Sequence, residues 1–480
     1  MIAFILLAFF TIRIACASSE FRPNLFVLSD ITNEPDDSQS LVRLLLYSNQ
    51  IEILGLTAVT SVWLNDTVRP DAMVEIINSY DSVLNNLRVH DPKYPSGEHL
   101  RSLVYAGKPK YGMEAVDLED PANVSEGAAA LIDAVDGIQG ASSDDDVSSF
   151  VWVSCWGGTN VLAEALYKIK QERTKDELDY FISKMKVYTI SDQDNSGMWI
   201  RLNFPKLFYV NSIHAWNEYV LTQWVGISSL AIDQGGPNVT VVSQDWLSDN
   251  IQVGPLGASY PDIAYTMEGD TGSFLGVIPN GLNHPGHIEY GGWGGRYKPV
   301  DQSLLYSNHY SDTADSVKGL NGETFTSNHA CIWRWRHAFQ NDFAARMQWT
   351  IHDSYESANH APILVLNETT SQLPFHTTVE DHGSSNASLI FNASASYDPD
   401  SSNSIATIDL FQYMEVSGDS APELTIQPIC SDSEGPCGIF RVLVPSKSVV
   451  NSSIDYHLVL QATDNGTPEM TAYRRIIISA

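Results

Sequence analysis

The stretch SDITNEPDDSQSLVRLLLYS, residues 29–48, decides how the chain is read. It sets Asp30, Glu34, Asp36 and Asp37 directly before an apolar run, and it follows NLFVLS (24–29), an apolar segment of strand length. A strand, an acidic junction and a helix are the parts of an α/β unit, in which ligands collect at the carboxyl end of the strand. Acids at a helix N-terminus ordinarily cap it and complement its dipole. Four carboxylates at one junction exceed that need and repel one another unless a cation joins them.

The pattern recurs along the chain. IEILGLTAV (51–59), FVWVSC (150–155) and KVYTIS (186–191) predict further strands. SEGAAALIDAVD (125–136) and NVLAEALYKIKQ (160–171) carry helical spacing, with Ser125 as the cap of the former. This alternation predicts a mostly parallel sheet flanked by helices over residues 18–357. Three strands end in polar sequence, SDITNEPDD, WGGTN (156–160) and SDQDNSG (191–197), so three chain segments are expected to meet in one crevice. After NHAPI (359–363) helical periodicity vanishes. Alternating segments such as ASLIFNAS and DYHLVLQATD, bounded by turn residues, predict an all-β immunoglobulin-like sandwich over 358–480. ASASYDPDSS and LQATDNGTPEMTAYRRIII resemble the repeats of PKD and cadherin-like modules.

Composition narrows the chemistry. A chain of 480 residues, 43% hydrophobic, accommodates two or three domains. A formal net charge of −31 argues against nucleic acid, whose phosphates demand clustered Lys and Arg, and suits a metal cation or a neutral polar substrate. The N-terminal MIAFILLAFFTIRIACASSE is apolar, too short to span a bilayer, and carries Ala15-Cys16-Ala17, a small-x-small cleavage pattern. A secretory signal peptide over 1–17 is expected, and no later segment reads as a membrane anchor. Sequons at Asn65, Asn123, Asn238, Asn367, Asn386, Asn392, Asn451 and Asn465 add the expectation of a secreted, extracellular glycoprotein. Cys430 and Cys437 in CSDSEGPC are close enough for a local disulfide, and Cys155 reads as a buried thiol. No Gly-x-Ser-x-Gly elbow, Walker loop or His-Glu-x-x-His motif occurs.

An acidic cluster ending in Asp-Asp before a helix, followed by Gly-x-Thr-Asn-x-x-x-x-Ala-Leu at 157–166, resembles the nucleoside hydrolase fold, and specifically its cellulose-binding, nucleoside hydrolase-like relatives. The hydrolase motif is Asp-x-Asp-Pro-Gly-x-Asp-Asp. Counted back from Asp36-Asp37, Asp30 matches its first Asp and Thr32 stands where the catalytic second Asp belongs; a two-residue insertion instead matches Asp30 to the catalytic acid. Thr is a poor base, so Asp30 is the candidate. The resemblance implies Ca²⁺ held by Asp30, Asp37, the main-chain carbonyl of Thr159 and Asp270 of MEGDTGSFL (267–275), with Glu268 or Thr271 assisting. It implies Asp30 and Asp36 as catalytic acids, Asn195 and Asn203 of DNSGMWIRLN (194–203) on sugar hydroxyls, and Asp192 or Asp194 near the leaving group. Arg201 stands where the family has Glu, a donor fork in place of an acceptor.

In NGLNHPGHIEYGGWGGRYKP (280–299), Trp293 and Tyr297 are candidates to stack on a sugar, with Arg296 and His287 on its hydroxyls. The same Gly-Trp-Gly-Gly also reads as a tight loop with a buried tryptophan. The activity implied is secreted, Ca²⁺-dependent hydrolysis of a glycosidic bond in a carbohydrate or N-/O-glycoside. The alternative is a non-catalytic protein that binds cellulose or another plant cell-wall glycan around a structural metal.

Overall fold

The computed structural model describes residues 22–140, 146–214, 216–379, 386–418, 421–430, 435–445 and 454–480. The signal expected over 1–17 and the sequon at Asn451 lie outside them. β1 (Asn24–Ser29) is buried along its whole length, because helices cover both faces of its sheet and the strand needs no polar side. The other strands of that sheet are β2 (Glu52–Ala58), β3 (Val104–Ala106), β4 (Val151–Cys155), β5 (Met185–Thr189), β6 (Phe208–Val210), β7 (Tyr297–Pro299) and β8 (His309–Asp312). Their order is β3-β2-β1-β4-β5-β6-β8-β7, with every neighbouring pair parallel except β7 with β8.

Register decides which residues leave the sheet together. Ser29 pairs with Ala58, Leu28 with Cys155, and Cys155 with Thr189. The exits of β1, β2, β4 and β5 are therefore level, and Asp30, Thr60–Ser61, Gly157–Thr159 and Asp194 emerge side by side at the carboxyl edge.

The helices are α1 (Pro35–Leu46), α2 (Pro70–His90), α3 (Gly97–Ser102), α4 (Glu126–Gly137), α5 (Asn160–Glu172), α6 (Lys175–Ser183) and α7 (Ser196–Asn203), with a later helix at Arg336–Trp349. α1, α2 and the helix Arg336–Trp349 share one core with the sheet; α4, α5 and α6 form the other on the opposite face. Ser125 caps α4 by accepting from the Ala128 N–H. Among the described residues no helix is long and apolar enough to cross a membrane.

A short hairpin, β9 (Asp315–Lys318) with β10 (Thr324–Ser327), precedes the C-terminal sandwich. One sheet orders β11 (Phe375–Thr378), β17 (Thr471–Ser479), β16 (Asp455–Asp464) and β13 (Ile405–Gln412). The other orders β12 (Ala387–Asn392), β15 (Ile439–Val444) and β14 (Thr425–Pro428). Cys430 and Cys437 form a disulfide beside β14 and β15.

β16 and β17 are buried on both faces. Leu458, Leu460, Ile476 and Ile478 fill the sandwich core, whereas Val459 and Tyr473, pointing the other way, join the core of the α/β domain. Arg475, fully buried, donates to the carbonyls of Leu282 (2.8 Å) and Gly291 (2.7 Å). Gly281 has φ 83°, and a Cβ there would lie 2.0 Å from the Tyr473 carbonyl oxygen, so only glycine allows this approach.

This seam corrects one expectation. Trp293 is 1% exposed, packed edge-on against Phe339 and Tyr473, and so has no face to offer a sugar. Its neighbours are equally committed: Tyr297 shares a hydrogen bond with Tyr188, Arg296 pairs with Asp315, and His287 stacks on Tyr290. The 280–299 segment is a docking surface for β17, which burial between two domains makes apolar and glycine-rich.

Candidate functional site

At the end of β1 the chain turns sharply, the Asn33 N–H donating to the Asp30 carbonyl (3.1 Å). Thr32 sits exposed at the tip of this turn with φ 84°, while Asp30 is 3% exposed and faces the other acids. Pro35 then starts α1 with its φ preset, which places Asp36 and Asp37 in the first turn. Glu34 is the N-cap residue but its side chain makes no capping hydrogen bond; Asp36 Oδ1 accepts from the Asp37 N–H (3.2 Å), and Asp37 Oδ1 accepts from the Ser29 hydroxyl (2.5 Å).

Asp270 arrives from far along the chain on a turn pinned by Glu268. Glu268, with φ 51°, donates its N–H to Gln39 of α1, and its carboxylate takes hydrogen bonds from Tyr260 and Thr271 and pairs with Arg43 at 2.6 Å. That role removes Glu268 and Thr271 from the expected ligand set, because both are spent on holding the turn. The turn in turn delivers Asp270 to α1, and carboxylate oxygens of Asp36, Asp37 and Asp270 lie within 4.8 Å of one another.

The electrostatics are one-sided. Burial pushes Asp30 up to about 6, despite a hydrogen bond from Ser61, and burial with the charges of Glu34 and Asp30 pushes Asp36 up to about 7. Asp37 is raised well above the ordinary carboxylate range, first by burial and then by Asp30 and Asp36, and Asp270 likewise, first by burial and then by Asp37, Asp36 and Asp30. The charges that act most strongly on all four are other carboxylates. Asp270 Oδ2 is buried with no hydrogen bond. Clustered, hard, unneutralised oxygens of this kind fit a divalent cation such as Ca²⁺, which takes oxygen ligands and removes the repulsion.

Gly157 and Gly158 separate Asp30 from Asp194. A Cβ on Gly157 would stand 2.7 Å from Asp30 Oδ1, and one on Gly158 would stand 2.4 Å from Asp194 Oδ2, so the acids flank the turn only because it lacks side chains. Asp194, 5% exposed, accepts from the Ser196 N–H (2.8 Å) and from Thr159 Oγ1 (3.3 Å), and its Oδ2 is buried without a partner. The Thr159 carbonyl accepts from the Ala163 N–H (2.9 Å) as the first bond of α5.

The expected row of hydroxyl-binding residues is dispersed. Asn195 is exposed and accepts from the Met113 N–H (2.8 Å); Asn203, also exposed, accepts from Lys170 (2.8 Å). Two turns of α7, about 12 Å of rise, separate the two asparagines, too far for one sugar ring. Arg201 is paired with Asp192 and lies over the Tyr209 ring, so neither member of that pair serves the carboxylate pocket.

Three residues of the pocket, Ser61, Tyr219 and Trp224, carry no motif. Ser61 hydrogen-bonds Asp30, and its Oγ also accepts from the N–H groups of Trp63 (3.0 Å) and Leu64 (3.1 Å). Tyr219 hydrogen-bonds Ser191 (2.9 Å) and Trp63, and its hydroxyl feels the charges of Asp30 and Asp270. Trp224 packs edge-on against Tyr219 at 5.2 Å and donates to the Ile190 carbonyl (2.9 Å). Thr60-Ser61 is the same polar strand ending that marked the other three strands and was legible on that ground. Tyr219 and Trp224 lie in irregular chain with no such signal.

Comparison with known proteins agrees with this arrangement. Residues 24–297 match the family described as cellulose-binding Sde182, nucleoside hydrolase-like domain, and residues 388–480 match the C-terminal domain of cellulose-binding protein Sde0182. A solved structure of a nucleoside hydrolase-related hypothetical protein from Saccharophagus degradans, described as associated with carbohydrate metabolism, is similar with a TM-score of 0.75 and 30% identity. The similarity covers 95% of this chain and 99% of that one. No curated protein matches. With both of its domains matched and an acid-rich carboxyl edge on a parallel sheet, the chain belongs to the cellulose-binding, nucleoside hydrolase-like family.

Proposed function

We propose that this protein hydrolyses a glycosidic bond of a neutral glycan at the carboxyl edge of its parallel sheet, with Ca²⁺ as cofactor. The observation that supports this reading is the meeting of Asp30, Asp36, Asp37 and Asp270 in one buried pocket whose dominant charges are all negative. Asp36, Asp37 and Asp270 would hold the cation, which supplies Lewis acidity and a charge that orients sugar hydroxyls. Asp30, fixed by Ser61 and lifted to about 6, accepts the proton of an attacking water on its carboxylate at near-neutral pH. Asp194, across the glycine turn and raised by burial, would hold a proton on its carboxyl and donate it to the leaving oxygen as the glycosidic bond breaks. An acid-lined pocket in a chain of net charge −31 repels phosphates and uronates, which leaves neutral sugars.

The test is release of reducing sugar from cello-oligosaccharides and xylan, and of base from nucleosides, with Ca²⁺ or with chelator. Ca²⁺-dependent release abolished in Asp37→Ala is expected; no release from any substrate by the wild type overturns the reading. A second reading, binding without turnover, is favoured by the commitment of Asn195, Arg201 and Asn203 to other contacts. It predicts retention on insoluble cellulose, in keeping with the family's description as cellulose-binding, with no product formed.

Export as a glycoprotein is part of the same proposal. Asn65, Asn123, Asn386, Asn392 and Asn465 are exposed, Asn238 and Asn367 half-buried, and the Cys430–Cys437 disulfide suits an oxidising compartment.

A further inference from the structure

The carboxylate pocket has an aromatic wall whose exposure is graded. Trp224 is 3% exposed at the floor, where its ring lies beside Gly269 and Asp36; Tyr219 is half-buried above it; Trp63 is 45% exposed above that. The three are in contact, Trp224 with Tyr219 through their rings and Tyr219 with Trp63 through a hydrogen bond. Trp63 is also held from behind. The Val62 N–H donates to the Gln193 carbonyl (2.6 Å), and Ser61 ties the same loop to Asp30. A large apolar ring left in water forgoes the burial that such rings usually gain. Trp63 is thus an exposed ring on a loop bonded to the residues around the acid pocket.

We infer that Trp63 is the platform on which a neutral, β-linked gluco-oligosaccharide stacks as it enters the carboxylate pocket. An all-equatorial pyranose presents a flat face of C–H groups that covers an indole and displaces its water, and no charge on the sugar is required. The surrounding carboxylates disfavour an anionic glycan at the same place. The inference rests on the reading of the carboxylate pocket as a glycan site, and names the residue that selects its ligand.

The experiment is titration of the full-length protein with cellohexaose and, separately, with inosine, following tryptophan fluorescence and calorimetry. Wild type, Trp63→Ala, Trp63→Phe and the distant exposed control Tyr306→Ala are compared. Truncation of an anchoring aromatic weakens binding by about tenfold or more. The expectation is that loss for Trp63→Ala with cellohexaose, recovery of most affinity in Trp63→Phe, and no change in Tyr306→Ala. Cellohexaose bound equally by wild type and Trp63→Ala overturns the platform while the glycan site stands. Inosine bound through Trp63, with no binding of cellohexaose, also overturns it, since the ring then serves a base. Failure of the wild type to bind either probe overturns the glycan site itself and the platform with it.

Discussion

Asp315 and Asp270 are both buried acids of the α/β domain, 0% and 4% exposed, and their surroundings are opposite. Asp315 lies at the seam with the sandwich, where it accepts from Arg296 (2.8 Å), Arg334 (3.0 Å) and Tyr413 (2.5 Å). Burial alone would raise its carboxyl, but the two guanidiniums hold it below the ordinary range. Asp270, at the carboxyl edge, feels the charges of four carboxylates, Asp37, Asp36, Asp30 and Glu34, and has an oxygen with no hydrogen bond. The chain has the arginines to neutralise a buried acid and uses them at the seam, in the Arg43–Glu268 pair and in the Arg346–Asp342 pair. At the seam the Asp315 charge is paired, although Arg296 Nη1 and Arg475 Nη1 are themselves buried without a hydrogen bond. At the carboxyl edge the charges that act most strongly on the acids are other acids.

The contrast is broken most severely at the seam. Asp315→Ala strands two buried arginines, and removal of one partner of such a pair costs about 3–5 kcal/mol. A lower urea midpoint is expected with or without Ca²⁺, and an unchanged midpoint would show that the seam is not what joins the domains.

At the carboxyl edge the effect depends on the cation. Ligand in hundredfold excess over its dissociation constant stabilises the native state by about 2.7 kcal/mol. Ca²⁺ is expected to raise the melting temperature of the wild type, and Asp270→Asn to lose that increment. In chelator Asp270→Asn should be no less stable than the wild type, because one of the mutually repelling charges is gone. Destabilisation by Asp270→Asn in chelator would contradict the picture of an unneutralised cluster.

The pH dependence follows with its sign. Asp30 and Asp36 are raised to about 6 and about 7, so the folded state holds protons that the unfolded state has released between pH 4 and 7, and cation-free stability from these groups falls as pH rises through that window. His90 and His457, lowered by burial to about 4 and about 2, work in the opposite direction: stability is lost as pH falls below about 6.5. The difference in melting temperature between Ca²⁺-loaded and chelated protein removes the histidine contribution, and should widen as pH rises from 4 to 7. A flat difference would mean that no cation is bound by these acids.

The smallest effect is expected at Asn203. It is exposed and bonded to Lys170, so Asn203→Ala should change stability by no more than about 0.5 kcal/mol and leave glycan retention unchanged. A large loss of binding would return it to the site.

Much of the frame was legible. NLFVLS, FVWVSC and KVYTIS are strands because a parallel sheet covered on both faces takes uninterrupted apolar runs, and NVLAEALYKIKQ is a helix because its apolar positions recur every three to four residues. The acidic junction and the glycine turn were visible as the strand endings they are. The functions of Trp293, Arg201 and Asn203 were not legible. A tryptophan between glycines reads alike as a platform or an anchor until β17 covers it, and Arg201 reads as a sugar donor until Asp192 takes it.

The sequence alone therefore determined the elements, their order and the gathering of acids at strand ends, since these depend on near neighbours and on periodicity. Only the tertiary structure decided which charges are paired. Glu268 and Asp270 are two residues apart, yet one meets an arginine and the other meets only acids. Coulomb energy depends on distance through space, and that distance is decided by how α1, a turn more than two hundred residues later and the sandwich pack together.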